Sequence, residues 1–346
     1  MPLVNELAGQ VLEDAEVRDP TKIALQAVIQ EFESDTDERS AHIEDYLSEL
    51  VDLRSIATRR QTRGNSGASV GIGSKGYNAS SLADIIEDIS HAIVRSVDVN
   101  LTEDKLDVHR LFVRTIHQPI RDGRSERAKP VSYIVLNYDT LIETSLAYKR
   151  IKYADGLDGG TIAWWDLEVF RQPSLKARVY KIHGSIDWRE SVDDPLRFPR
   201  RTLTSTTSEP NNNGRVMIWP AETKYRETRQ DPFAQLAEQA WFSLRQASNA
   251  PSLLLTCGYS FGDAHINEEI TRCLREIPDL TLIVLIGACC PARVPELAKW
   301  QDDPVLGPRI LIYSQHGFYH TPESFVSNAP LDWWKFENLA SLIEEA

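Results

Sequence analysis

The sequence predicts an α/β protein with a doubly wound, mostly parallel sheet and a helical N-terminal layer or subdomain beside it. Three observations carry the prediction. Short runs rich in Val, Ile and Leu recur after Pro130, amphipathic segments of helical period separate them, and the first third of the chain has helical period without such runs. Strands that are apolar on both faces need cover on both faces, and crossover helices provide it.

The elements follow in order. Val4, Leu7, Val11 and Leu12 have helical spacing, so the chain enters a helix almost at Met1. A second helix fits Ile43, Tyr46, Leu47, Leu50 and Leu53. A third fits Leu82, Ile85, Ile86, Ile89, Ile93 and Val97, opened by a Ser80-Ser81 cap. A fourth runs from about Glu103 to Thr115. Gly64 to Gly76 is low in complexity and contains Gly71, Gly73 and Gly76 in the pattern G-x-G-x-x-G. A dinucleotide fingerprint needs a strand before it and a helix N-terminus after it. Arg59-Arg60-Gln61-Thr62-Arg63 precedes it instead, so the stretch is expected to be a flexible polar loop.

Strands are expected at Val131–Leu136, Arg178–Ile182, Gly214–Trp219, Ser252–Thr256, Leu280–Ile286 and Arg309–Tyr313. Helices are expected at Leu141–Leu146, Phe233–Gln246 and Ile266–Ile277. No internal repeat is visible.

Charge and cysteine usage narrow the function. The 346 residues include 38 Lys and Arg against 51 Asp and Glu, a formal net charge of -13. Sequence-independent binding to nucleic acid needs a basic excess, so strong direct nucleic-acid binding is not expected. No apolar run approaches the ~18 residues of a membrane span, and no signal pattern opens the chain. The four cysteines form no C-x-x-C pair, so neither a disulfide framework nor a zinc site is expected. A cytoplasmic location follows.

In doubly wound sheets ligands bind at the carboxyl ends of strands, which directs attention to the residues closing each run. Asn137-Tyr138-Asp139 ends one strand and opens a helix. A helix cap accounts for one of the two polar residues and leaves the other over. His183 ends the next strand, followed by Gly184-Ser185. A neutral imidazole there can accept a proton or polarise a ribose hydroxyl. His42, His91, His109, His117, His265, His316 and His320 are read as structural. Gly258-Tyr259-Ser260-Phe261-Gly262-Asp263 joins a strand to a helix and is either a loop for phosphate and ribose or an ordinary capped turn. Gly287-Ala288 leaves room for a flat nucleoside. Cys289 and Cys290 are read as small buried residues, and Trp164-Trp165 and Trp333-Trp334 as core or interface.

Together, Leu136–Glu143, Lys181–Trp188 and Cys257–Asp263 resemble the sirtuin-like family. The likeness covers about residues 1–320 and is closer to its bacterial branch, the NAD-hydrolysing domains of antiphage defence. The resemblance implies a Rossmann-like NAD-binding core over 121–325, with the helical segment over 1–120 and a tail helix over 326–346. It implies that Asn137 and His183 are the catalytic pair and that Asp139 lies near the nicotinamide. It places Gly258, Tyr259 and Ser260, in the loop that Asp263 closes, at the phosphates and nicotinamide-side ribose, and Gly287 at the adenosine. The four-cysteine zinc module of deacylating sirtuins has no counterpart here. NAD is therefore expected as substrate of a hydrolysis, without zinc. The family's opening strand and Gly-rich G-A-G-x-S loop have no counterpart either, and Met1 to Leu7 looks like the segment that follows that loop. Two further expectations follow: self-association into a homo-oligomer, and partnership with a HerA-type ATPase. The alternative is a non-catalytic subunit that binds NAD or ADP-ribose and regulates or scaffolds such an ATPase.

Overall fold

The computed structural model describes residues 4–34, 43–64, 67–97, 103–118, 130–160, 162–190, 199–201, 215–217, 231–245 and 251–345. The N-terminal layer consists of helices α1 (Val4–Glu13), α2 (Asp19–Ser34), α3 (Ile43–Thr62) and α4 (Ala79–Val97), with a hairpin of β1 (Val70–Ile72) and β2 (Lys75–Tyr77). Leu25, Val28, Leu47, Leu50, Leu82, Ile89 and Ile93 form its core, burying one apolar stripe per helix. The periodicity did not signal α2. Its buried face carries Thr21 and Ala24 beside Leu25 and Val28, and small or polar residues weaken an apolar stripe. Asn78 caps α4, its Oδ1 accepting from Ser81 N at 2.8 Å, so the cap lies ahead of the expected Ser80-Ser81 pair. The glycine stretch is not the flexible polar loop expected: Val70, Ile72 and Tyr77 are buried, and the strands pair antiparallel through Gly71 and Gly76.

The remaining described residues are a mixed α/β assembly of the Rossmann-like kind, and the described residues as a whole hold ten α-helices. Strands β3 (Val131–Val135), β4 (Tyr153–Ala154) and β7 (Ala177–Lys181) form a parallel sheet in the order β3-β7-β4. Helix α6 (Leu141–Tyr148) connects β3 to β4. A second sheet has β11 (Ser252–Cys257), β12 (Leu280–Leu285) and β13 (Ile310–Ser314) in parallel. The antiparallel strands β14 (Gly317–His320) and β15 (Glu323–Val326) extend it.

A third, antiparallel sheet joins β5 (Leu157–Gly159), β6 (Ala163–Trp165), β8 (Gly184–Glu190), β9 (Pro199–Arg201) and β10 (Arg215–Met217) in the order β10-β8-β9-β6-β5. The expected strand at Gly214–Trp219 is therefore described only at Arg215–Met217 and pairs antiparallel with β8, outside the parallel sheets. Gly214, Ile218 and Trp219 lie outside the described residues.

Helix α7 (Phe233–Arg245) packs on β3 and β7, while α8 (Ala264–Glu276) follows β11 and α9 (Pro295–Asp302) follows β12. Helix α5 (Glu103–His117) packs against the tail helix α10 (Phe336–Glu345), with Phe112 against Phe336 at 4.9 Å between ring centroids. The vicinal cysteines depart from expectation, because Cys289 is exposed and Cys290 only half-buried. They lie in the turn after β12, which leads to the surface rather than into the core. Trp164 is also exposed, whereas Trp165 meets Trp188 edge-on at 5.9 Å.

Candidate functional site

Strands β3 and β7 run parallel with Val135 opposite Lys181. Two residues beyond that pair stand Asn137 on one strand end and His183 on the other, so the register puts them side by side at the carboxyl edge. Asn137 is exposed and His183 buried. The ambiguity over Asn137-Tyr138-Asp139 resolves locally: Asp139 is buried and its Oδ1 accepts from Leu141 N at 3.0 Å, the first amide of α6. Asn137 is the residue left over. The Tyr138 carbonyl accepts from Ile186 N at 3.0 Å and from Ser185 Oγ at 3.3 Å, which ties this turn to the segment after His183.

Charged groups are buried behind the pair. Lys181 is fully buried; its Nζ donates to the Asp139 carbonyl and lies 3.6 Å from the Glu143 carboxylate. Burial pushes the Glu143 carboxyl up to about 7, and Lys181 opposes that shift. Arg201 pairs with Asp155 and, at 2.8 Å, with Asp187. Burial likewise raises Asp155, against the pull of Arg201. His109 is held below the usual histidine range by burial, which the nearby Asp139 partly offsets.

The second half of the site follows β11. Gly258 has φ +70, a left-handed turn open to glycine without a Cβ penalty, and both it and Ser260 are exposed. Tyr259 serves the loop itself: its hydroxyl donates to Asn267 Oδ1 at 2.8 Å with the Asp263 carbonyl at 3.1 Å, and Asn267 Nδ2 donates to the Phe261 carbonyl. Burial raises the Tyr259 hydroxyl. Asp263 occupies the N-cap position of α8, and its side chain makes no capping bond to that helix. The halves meet through His265 on the first turn of α8, whose ring lies 6.0 Å from that of His183.

Gly287, after β12, is not open space. A Cβ there would lie 2.9 Å from the Trp334 ring, so the indole rests directly on the glycine backbone. The Trp334 carbonyl also accepts from Cys257 Sγ at 3.7 Å, and Trp333 Nε1 donates to the Ser314 carbonyl at 2.6 Å. A cleft of about 730 Å³ lies elsewhere, between α8 and α9, and reaches the loop only at Phe261 and Gly262.

Sequence reasoning brought Asn137, His183 and the Gly258 loop to one edge and missed three residues. His265 lies two positions past the Gly258–Asp263 loop. Lys181 carried a partial signal, a charge set between the apolar Tyr180 and Ile182. Trp334 carried none, because its contact with Gly287 exists only in the folded chain.

Among the described residues no helix is long and apolar enough to cross a membrane, and no cluster of His, Cys, Asp or Glu has the makings of a metal site. Among curated proteins nothing matches this chain. The family model described as the SIR2-like domain matches residues 131–299, from the start of β3 into α9, and so spans Asn137, His183, the Gly258–Asp263 loop and Gly287. That match supports a sirtuin-like family for this α/β unit and, with it, NAD-dependent activity in general.

Proposed function

We infer that the chain is an NAD+ glycohydrolase that cleaves NAD+ to nicotinamide and ADP-ribose, an effector of bacterial antiphage defence. The observation that carries this is the placement of Asn137 and His183 on adjacent parallel strand ends, with His265, on the helix that follows the exposed Gly258 and Ser260, 6.0 Å from the His183 ring. Breaking the bond from nicotinamide to ribose C1′ builds oxocarbenium character, and nicotinamide leaves as a neutral group. The protein then has to position a water and the ribose more than supply strong acid. Asn137 orients the water or the ribose, and His183 is the base towards water or a ribose hydroxyl. Asp139, by accepting from Leu141 N, holds the turn that presents Asn137. Gly258 and Ser260 line the phosphate and ribose side, in a loop stiffened by Tyr259 and closed by Asp263. No zinc enters this reaction.

Self-association and a HerA-type ATPase partner in the cytoplasm belong to the same proposal. Their support is the resemblance of the Asn137, His183 and Gly258 motifs. One observation favours a second reading, a subunit that binds NAD or ADP-ribose without turnover: the Trp334 ring lies against the exposed Gly287, where the adenosine is expected.

The test is NAD+ consumption by the purified chain, alone and with the ATPase, resolved by chromatography against nicotinamide and ADP-ribose standards. Asn137→Ala and His183→Ala should each fold and lose about 10²- to 10⁴-fold in rate. Undiminished depletion by both variants sinks the assignment, and tight binding without turnover selects the second reading.

A further inference from the structure

We propose that Lys181 and Glu143 act as positioning residues that fasten the turn carrying Asn137 to the strand end carrying His183; this rests on the NAD hydrolase reading. The β3–β7 ladder stops at Val135 and Lys181, so beyond it the two strand ends need other ties. Three bonds supply them, all to consecutive carbonyls of the turn. Ile186 N and Ser185 Oγ donate to Tyr138 O, and Lys181 Nζ donates to Asp139 O.

Of the three, the lysine bond is the unusual one. Lys181 lies in a strand whose Ala177, Val179 and Tyr180 are buried, and it has no exposure of its own. Water does not solvate a cation there, and burial without a partner is unfavourable. The nearby acids divide cleanly: Arg201 holds Asp155 and Asp187, and Glu143 at 3.6 Å is left for Lys181. Glu143 is itself buried, and its Oε2 has no hydrogen-bond partner among the described residues. Lys181 is therefore the one cation that Glu143 faces among those residues, and the pair directs Nζ at the Asp139 carbonyl. A flexible four-carbon stem is fixed by two oxygens, both on the stretch that follows Asn137.

The test uses Lys181→Met, Glu143→Leu and Glu143→Gln in the full chain, with two readouts. Amide hydrogen exchange reports the fastening itself. In Lys181→Met the Ile186 amide should exchange about 10-fold faster or more, while Tyr133 and Val179 within the strands stay protected. Turnover reports the consequence: kcat for NAD+ should fall about 10²-fold, as expected for a small misplacement of reacting groups. The Kd for ADP-ribose should stay within about twofold of the parent value. Glu143→Gln, which keeps an oxygen facing Nζ, should retain more turnover than Glu143→Leu and serves where a harsher variant fails to fold.

Unchanged Ile186 exchange overturns the proposal. So does faster exchange with full turnover, or a loss confined to ADP-ribose binding. If the parent chain leaves NAD+ intact, the hydrolase reading falls and the positioning role with it, while exchange still decides whether the fastening exists.

Discussion

The helical N-terminal layer and the carboxyl edge of the parallel strands treat polar groups in opposite ways. From α1 to α4 the core is mainly aliphatic, with Tyr46 and Tyr77, and Asp88 is the one buried charged residue there among the described residues. Arg18 reaches it from a half-exposed position at 3.1 Å, and Thr21 Oγ1 donates to it at 2.7 Å. At the strand ends, Asp139, Glu143, Asp155, Lys181 and His183 are all buried within residues 139–183. Removing a charge from water is unfavourable unless partners replace the solvent. The strand ends do so repeatedly, at the edge where such folds bind ligands, which is the contrast that the proposed site rests on.

The largest effect that tests this contrast comes from the two arginines. Arg201→Met strands Asp155 and Asp187 and should cost about 3–5 kcal/mol in urea denaturation. Arg18→Met, at a side chain 56% exposed, should cost less than about 1 kcal/mol. Equal losses would erase the distinction between the regions.

Gly287→Ala comes next. The added methyl meets the Trp334 ring at 2.9 Å, so the tail has to shift, at about 1–3 kcal/mol, with a change in tryptophan emission. Unchanged emission would show that the ring does not rest on this backbone.

The most gradual effect is a slope. Because burial holds the Glu143 carboxyl at about 7 against an ordinary 4.5, the folded chain binds this proton more tightly than the unfolded one. Its contribution is fully present below about pH 4.5 and is lost as pH rises towards 7. The Tm difference between the parent and Glu143→Gln should drift in favour of the variant across that window, and a flat difference would contradict the burial.

How far the sequence was legible depended on the range of the signal. Strands β3, β7, β11, β12 and β13 were readable because aliphatic runs bounded by turn residues are a local pattern, and so were α1, α3 and α4. Helix α2 escaped because Thr21 and Ala24 dilute its stripe. Most of the antiparallel sheet escaped because β5, β6 and β9 are three-residue strands, too short to display alternation. Asn137 and His183 stood out through their position at strand ends. His265 and Trp334 did not, since the ring contact of one and the glycine contact of the other are tertiary facts. Lys181 lay between these cases: its oddity was visible in the strand, its partners only in the fold.

The ring of Tyr138, between Asn137 and Asp139, packs against the core of the helical layer, as does Ile186. That single tyrosine joins the core of the helical layer to the turn that carries Asn137. On the proposed hydrolase reading, a small molecule or antibody fragment that loosens this layer would disturb the turn holding Asn137 without competing with substrate. Dose–response curves for such an agent would show a falling maximal rate at constant apparent affinity, the pharmacology of a remote dial rather than of a plug.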